Sequence, residues 1–97
     1  MYLLVAYDVS TSTPAGQRRL RQVAKVCQDY GQRVQNSVFE CKVEPAHYIA
    51  FKQSLLAIID VRTDSIRFYN LGKNWKHRVE SFGKNTGYDI EGLLLIE

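Results

Sequence analysis

Residues 2–9 are apolar, β-branched or aromatic at most positions and predict a short buried strand. Residues 10–13 are polar, and Thr13-Pro14 gives a helix start, a capping hydroxyl followed by a proline in the first turn. In that helix Leu20, Val23, Ala24 and Cys27 repeat with i, i+3, i+4, i+7 spacing and form one apolar stripe. Arg18, Arg21 and Lys25 fall together on the opposite face, with Arg19 on the flank. The helix is expected to run to about Tyr30 and to stop at Gly31. In residues 33–43, Phe39, Cys41 and Val43 alternate with Val38, Glu40 and Lys42. That period of two marks a strand with two different faces, and Asn36-Ser37 is a tight connection or a kink within it.

Glu44-Pro45 opens a second helix, whose stripe is Tyr48, Phe51, Leu55, Ile58 and Ile59. Residues 64–71 form the next strand, and residues 76–82 add a fifth. The order strand, helix, strand, strand, helix, strand predicts an α+β, ferredoxin-like βαββαβ two-layer sandwich with an added C-terminal strand. One domain over residues 1–97 is expected from the length. The two helices cover one face of the sheet and leave the other apolar face open, which is the mark of a sheet-to-sheet homodimer. Residues 93–96 are apolar, and the segment 85–97 is expected to pair with the partner subunit.

Composition adds little until charge is placed along the chain. The net charge is +3, with 45% hydrophobic and 24% charged residues, as in an ordinary globular protein. Arg18, Arg19, Arg21, Lys25 and Arg33 stand against one acid, Asp29, in residues 18–33. Arg62, Arg67, Lys73, Lys76, Arg78 and Lys84 stand against Asp64 and Glu80 in residues 62–84. Two basic clusters are either solvated faces or a surface for a polyanion, nucleic acid first among them. Cys27 and Cys41 lack metal-ligand spacing and fall on apolar faces, as buried reduced thiols do. No signal peptide opens the chain and no apolar run reaches the roughly 20 residues of a membrane helix, so a cytoplasmic setting is expected.

The candidate chemistry centres on Asp8, the only acid of the first strand. It is either a turn-capping residue or a carboxylate that meets its own copy across a dimer axis. Facing carboxylates require a proton or a cation between them, and Mg²⁺ or Mn²⁺ needs only one or two carboxylates besides its waters. Tyr7 and Phe39 are candidates for base stacking or for the core. Ser10 either helps hold a metal-bound water or continues the turn. His47 and His77 have no metal-spaced partner, and Trp75 is a candidate for backbone contact or for packing. No Gly-rich phosphate loop, Ser-His-Asp set or zinc motif occurs.

Four segments together resemble the CRISPR-associated protein two family: LLVAYDVS (3–10), RRLRQVAKVC (18–27), YGQRVQNSVFEC (30–41) and DSIRFYNLG (64–72). The third is the most specific, and residues 85–91 are the least family-like. The resemblance implies a ferredoxin-like homodimer of CRISPR spacer acquisition that binds duplex DNA or RNA and bridges copies of the CRISPR-associated protein one integrase. It implies a Mg²⁺- or Mn²⁺-dependent endonuclease with Asp8 as the metal-linked residue; Tyr7 and Ser10, beside it in sequence, stand with it as catalytic candidates. It also implies nucleic-acid contacts at Arg18, Arg19, Arg21 and Arg33, and Lys25 joins them as a candidate because it shares the helical face of Arg18 and Arg21. The other reading of the same resemblance is a non-catalytic, DNA-holding scaffold. An RNA-recognition module on this βαββαβ plan is disfavoured, because the strand bearing Phe39, Cys41 and Val43 lacks an aromatic-rich motif.

Overall fold

The computed structural model describes residues 1–72 and 79–84. The elements are β1 (Tyr2–Asp8), α1 (Pro14–Gln28), β2 (Gly31–Gln35), β3 (Val38–Lys42), α2 (Pro45–Ile58), β4 (Ser65–Asn70) and β5 (Val79–Gly83). The strands form one sheet in the order β2-β3-β1-β4-β5, antiparallel throughout. This is the expected ferredoxin-like arrangement, with β5 as the added strand. The segment 85–97 and residues Lys73, Trp75, Lys76, His77 and Arg78 lie outside the described residues.

Successive residues of a strand point to opposite faces, and β1 shows why this chain needs two layers. Leu3, Val5 and Tyr7 are buried, whereas Tyr2, Leu4, Ala6 and Asp8 are half-buried or exposed. The first set meets Phe39 and Cys41 of β3 and Ile66 and Phe68 of β4 under the helices. Val23 and Cys27 from α1 and Phe51 and Leu55 from α2 complete that core. Phe51 packs edge-on against Phe68, with centroids 6.3 Å apart. Each fully buried side chain of this size stabilises the fold by about 1.5–3 kcal/mol.

Helix α1 starts as the sequence predicts: Thr13 is its N-cap, Thr13 Oγ1 accepts from Gly16 N at 3.0 Å, and Pro14 occupies the first turn. Gly16 is pressed against the β1–α1 loop, and a Cβ there would stand 1.9 Å from the Ser10 carbonyl oxygen. The helix ends at Gln28, earlier than expected. Gly31 opens β2 instead of capping the helix, because a Cβ there would stand 2.0 Å from the Glu40 carbonyl oxygen. The glycine is needed for the close approach of β2 to β3. Asn36 and Ser37 are the connection between those strands, with Gln35 opposite Val38. Of the α2 stripe, Phe51, Leu55 and Ile59 are buried, and Tyr48 and Ile58 pack at its margin.

Candidate active site

β1 ends at Asp8, one residue sooner than its apolar run. On one side Asp8 stands opposite Ser65 of β4. On the other, the β3 ladder stops at Ala6 opposite Val38, and the hairpin turn takes over, with Tyr7 N donating to the Ser37 carbonyl at 3.0 Å. The result is an open depression of about 620 Å³ lined by Ala6, Tyr7, Asp8, Gln35, Asn36, Ser37, Val38, Ser65 and Arg67. Residues directly opposite in a sheet share a face, so Ala6, Asp8, Val38, Ser65 and Arg67 all belong to the face away from the helices. Asp8 is exposed, and its side chain makes no hydrogen bond or ion pair among the described residues. The turn-capping alternative is thereby removed.

The capping work falls to Asp64, which is fully buried. Its Oδ1 accepts from Ser10 N at 3.0 Å and from Thr63 Oγ1 at 3.1 Å; its Oδ2 accepts from Asp60 N at 2.9 Å. Arg19 Nε closes the set at 2.8 Å from Oδ2. Burial pushes the Asp64 carboxyl toward its neutral form, but Arg19 and the Asp60, Ser10 and Thr63 donors outweigh it and hold the pKa below the ordinary value. No local pattern marks this acid, because Ser10 and Arg19 lie 54 and 45 residues away.

The other candidate residues separate into groups. Tyr7 points to the helix side, opposite Asp8, and stacks on Phe39 with centroids 6.1 Å apart. It is a core ring, 5% exposed, and is not brought to the Asp8 carboxylate. Its phenol pKa is raised by burial and by Cys27, against the opposing pull of Arg33. The Ser10 hydroxyl bonds to Ser12, and its amide serves Asp64. Arg19 is corrected from a candidate phosphate ligand to the partner of Asp64: its side chain is 20% exposed and already holds a carboxylate.

Arg18, Arg21 and Lys25 are exposed along α1. Arg33 lies over the Phe39 ring, 5.2 Å from its centroid. Arg21 and Arg33 meet across a second cleft of about 400 Å³, with Tyr7, Leu20, Ala24, Asn36 and Ser37. The Asn36-Ser37 turn thus forms a wall of both clefts. Arg67, a member of the second basic cluster, is buried on the Asp8 face and lines the depression. His47 is exposed on α2.

Among the described residues no three His, Cys, Asp or Glu side chains come together. Among the described residues the depression is lined by a single carboxylate, Asp8. That donor set fits a hard cation such as Mg²⁺ or Mn²⁺, whose remaining positions are filled by water and phosphate oxygens, and does not fit an all-protein Zn²⁺ site.

Residues 1–79 match the model of the family described as CRISPR associated protein Cas2. The chain is 57% identical over 94 residues to a CRISPR-associated endoribonuclease Cas2 of Rhodospirillum rubrum, covering 97% of this chain and 99% of that one. It is 50% identical to a CRISPR-associated endonuclease Cas2 of Halalkalibacterium halodurans, covering 98% and 99%. A crystal structure of Streptococcus pyogenes Cas2 superposes with a TM-score of 0.70 at 66% identity, covering 86% of this chain and all of that one. With the sheet order, the exposed Asp8 and these matches in agreement, the chain belongs to the CRISPR-associated Cas2 family.

Proposed function

We propose that this chain is a divalent-metal-dependent endonuclease of CRISPR spacer acquisition, acting on RNA or duplex DNA as a homodimer. The observation that carries the proposal is the exposed Asp8 carboxylate, without a partner among the described residues, at the end of a strand whose backbone is held on both sides. A carboxylate placed so is available to a cation and not spent on the fold. Relatives named endoribonuclease and endonuclease support the reaction class.

The face away from the helices carries the half-buried Leu4, Ala6 and Val38, and pairing it with a second copy buries these side chains further and brings a second Asp8 to the site. The two Asp8 carboxylates would be the residues to hold an ion such as Mg²⁺ or Mn²⁺, which would supply Lewis acidity and lower the pKa of a water. Asp8 would be the protein's own ligand to that ion. Arg18, Arg21, Lys25 and Arg33 neutralise flanking phosphates, so binding is governed by the backbone and little by sequence. In the hydrolysis, water oxygen bonds to phosphorus, one P–O ester bond breaks, and the leaving oxygen takes a proton. The CRISPR-associated protein one integrase is the proposed protein partner, and the buried free thiols Cys27 and Cys41 agree with action in the reducing cytoplasm.

The test is cleavage of RNA and duplex DNA by the purified chain with and without Mg²⁺, beside Asp8→Asn. Metal-dependent cleavage in the parent, lost in the variant while light scattering shows an unchanged dimer, is expected. A parent that never cleaves gives the function to a DNA-holding scaffold. A variant that cleaves as fast as the parent places the activity elsewhere.

A further inference from the structure

Asp8 lies on the open face, yet the groups that decide where it sits are on the other side of the strand end. Its backbone is paired to Ser65 on β4. Two residues later the Ser10 amide donates to Asp64, the residue just before Ser65. The chain between Asp8 and Ser10 is therefore tied to two consecutive residues of one neighbouring segment. The Asp64 carbonyl in turn accepts from Lys84 N at 2.8 Å, which fastens the same segment to the end of β5.

We infer that Asp64 is the positioning residue of the Asp8 site, its buried carboxylate fixing the Ser10 amide and with it the end of β1. This rests on the proposed metal-dependent function for its catalytic consequence, but its geometry stands apart from that function. Arg19 sets the carboxylate itself, through Nε to Oδ2 at 2.8 Å and a second guanidinium nitrogen to Oδ1 at 3.4 Å. The Arg19 side chain leaves α1 one turn after Gly16, whose bare Cα lets the helix close onto the Ser10 carbonyl. Ser10 is thus held through its N–H by Asp64 and packed at its C=O by Gly16. Asp64 touches neither substrate nor metal in this arrangement; it acts through Ser10. Donors arrive at both carboxylate oxygens, so an amide, with one acceptor and one donor end, cannot satisfy them together.

A role confined to closing the loop between α2 and β4 would involve Asp60 and Thr63 alone. The test separates the two roles in the full chain by NMR. In Asp64→Asn the Ser10 amide is expected to exchange with solvent about tenfold faster. Broadening of the Asp8 amide by Mn²⁺ is expected to need about tenfold more ion, as outer-shell changes generally do. In the cleavage assay kcat falls while KM for substrate holds, because the arginines that bind phosphate are untouched. Asp8→Asn combined with Asp64→Asn is no slower than Asp8→Asn alone, since Asp64 works only through Asp8.

Arg19→Lys keeps the charge but not the fork, and gives the same Ser10 change at about threefold. It decides the matter should Asp64→Asn not fold. A folded variant with fast exchange at Asp60 and an unchanged Ser10 amide overturns the inference, as does a rise in KM with kcat unchanged. A parent chain whose Asp8 amide ignores Mn²⁺ refutes the metal reading; Ser10 exchange then decides the positioning role alone.

Discussion

Asp8 and Asp64 stand at one end of the sheet, separated by a single ladder pair, and their surroundings are opposite. Asp64 is buried and saturated with donors from a loop, a helix and its own turn. Asp8 is exposed and has none among the described residues. Removing water from a carboxylate costs several kcal/mol unless hydrogen bonds and a counter-charge replace it. The fold meets that cost for Asp64 and leaves Asp8 to solvent. A carboxylate fully engaged by its own protein has no coordination capacity left, so the acid that looks least anchored is the one available for chemistry.

The comparison breaks most visibly on stability. Asp64→Ala leaves the Arg19 guanidinium and two backbone amides without their acceptor, and about 3 kcal/mol of unfolding free energy is expected to go. Asp8→Ala is expected within about 0.5 kcal/mol of the parent. Urea unfolding of both variants measures the contrast, and equal losses would erase it.

Acid sharpens the same point. The Asp64 pKa lies below its ordinary value of 3.8 in the folded chain. A depressed folded pKa gives stability that is present above the unfolded value and is lost as pH falls through the folded one. The parent and Asp8→Asn should therefore lose stability together as pH drops below about 4, while Asp64→Asn loses less over that window. Thermal melts from pH 5 to about pH 2 check this; parallel curves for all three would assign the acid response to other groups.

Glu80 occupies the middle ground. Its side chain is 38% exposed, accepts from the Tyr48 hydroxyl and pairs with Lys52 at 3.1 Å, so it ties β5 to α2. The Tyr48 contact and Lys52 lower its pKa against a partial desolvation penalty, and burial with the same contact raises that of Tyr48. Because solvent screens a half-open carboxylate, Tyr48→Phe is expected to cost at most about 1 kcal/mol. Amide exchange should show the loss concentrated in β5. A cost equal to that of Asp64→Ala would mean that exposure does not grade these acids.

The contrast also explains what the sequence could and could not reveal. Local rules gave β1, the Thr13-Pro14 helix start, the Asn36-Ser37 turn and the α2 stripe, because each depends on neighbours within a few positions. They misplaced the end of α1, since Gly31 serves a contact with Glu40 across β3 and not the helix. Asp8 was legible because an acid terminating an apolar strand conflicts with its surroundings. Asp64 was not, because it opens a strand after a polar loop, where an acid is unremarkable. Arg19 shares its charge with Arg18 and Arg21, and only the folded chain shows that it is spent on Asp64. Tyr7 is adjacent to Asp8 in sequence, but the pleat turns it to the opposite face.

The bond from Ser10 to Asp64 spans 54 residues, and that separation has a kinetic meaning. Closing so long a loop costs entropy before any contact repays it. The β2–β3 hairpin and the first turns of both helices are free of that delay. The end of β1 therefore acquires its final shape late, after the strand that follows α2 has docked. During synthesis, a chain that has emerged only through α2 lacks both Asp64 and the β4 ladder, and its Asp8 has no fixed position. φ-values near zero at Ser10 and Asp64, beside higher values in the hairpin, are the expected record of that order. The Asp8 end of the domain would then be unformed in partly made chains and appear only once the sheet is nearly whole.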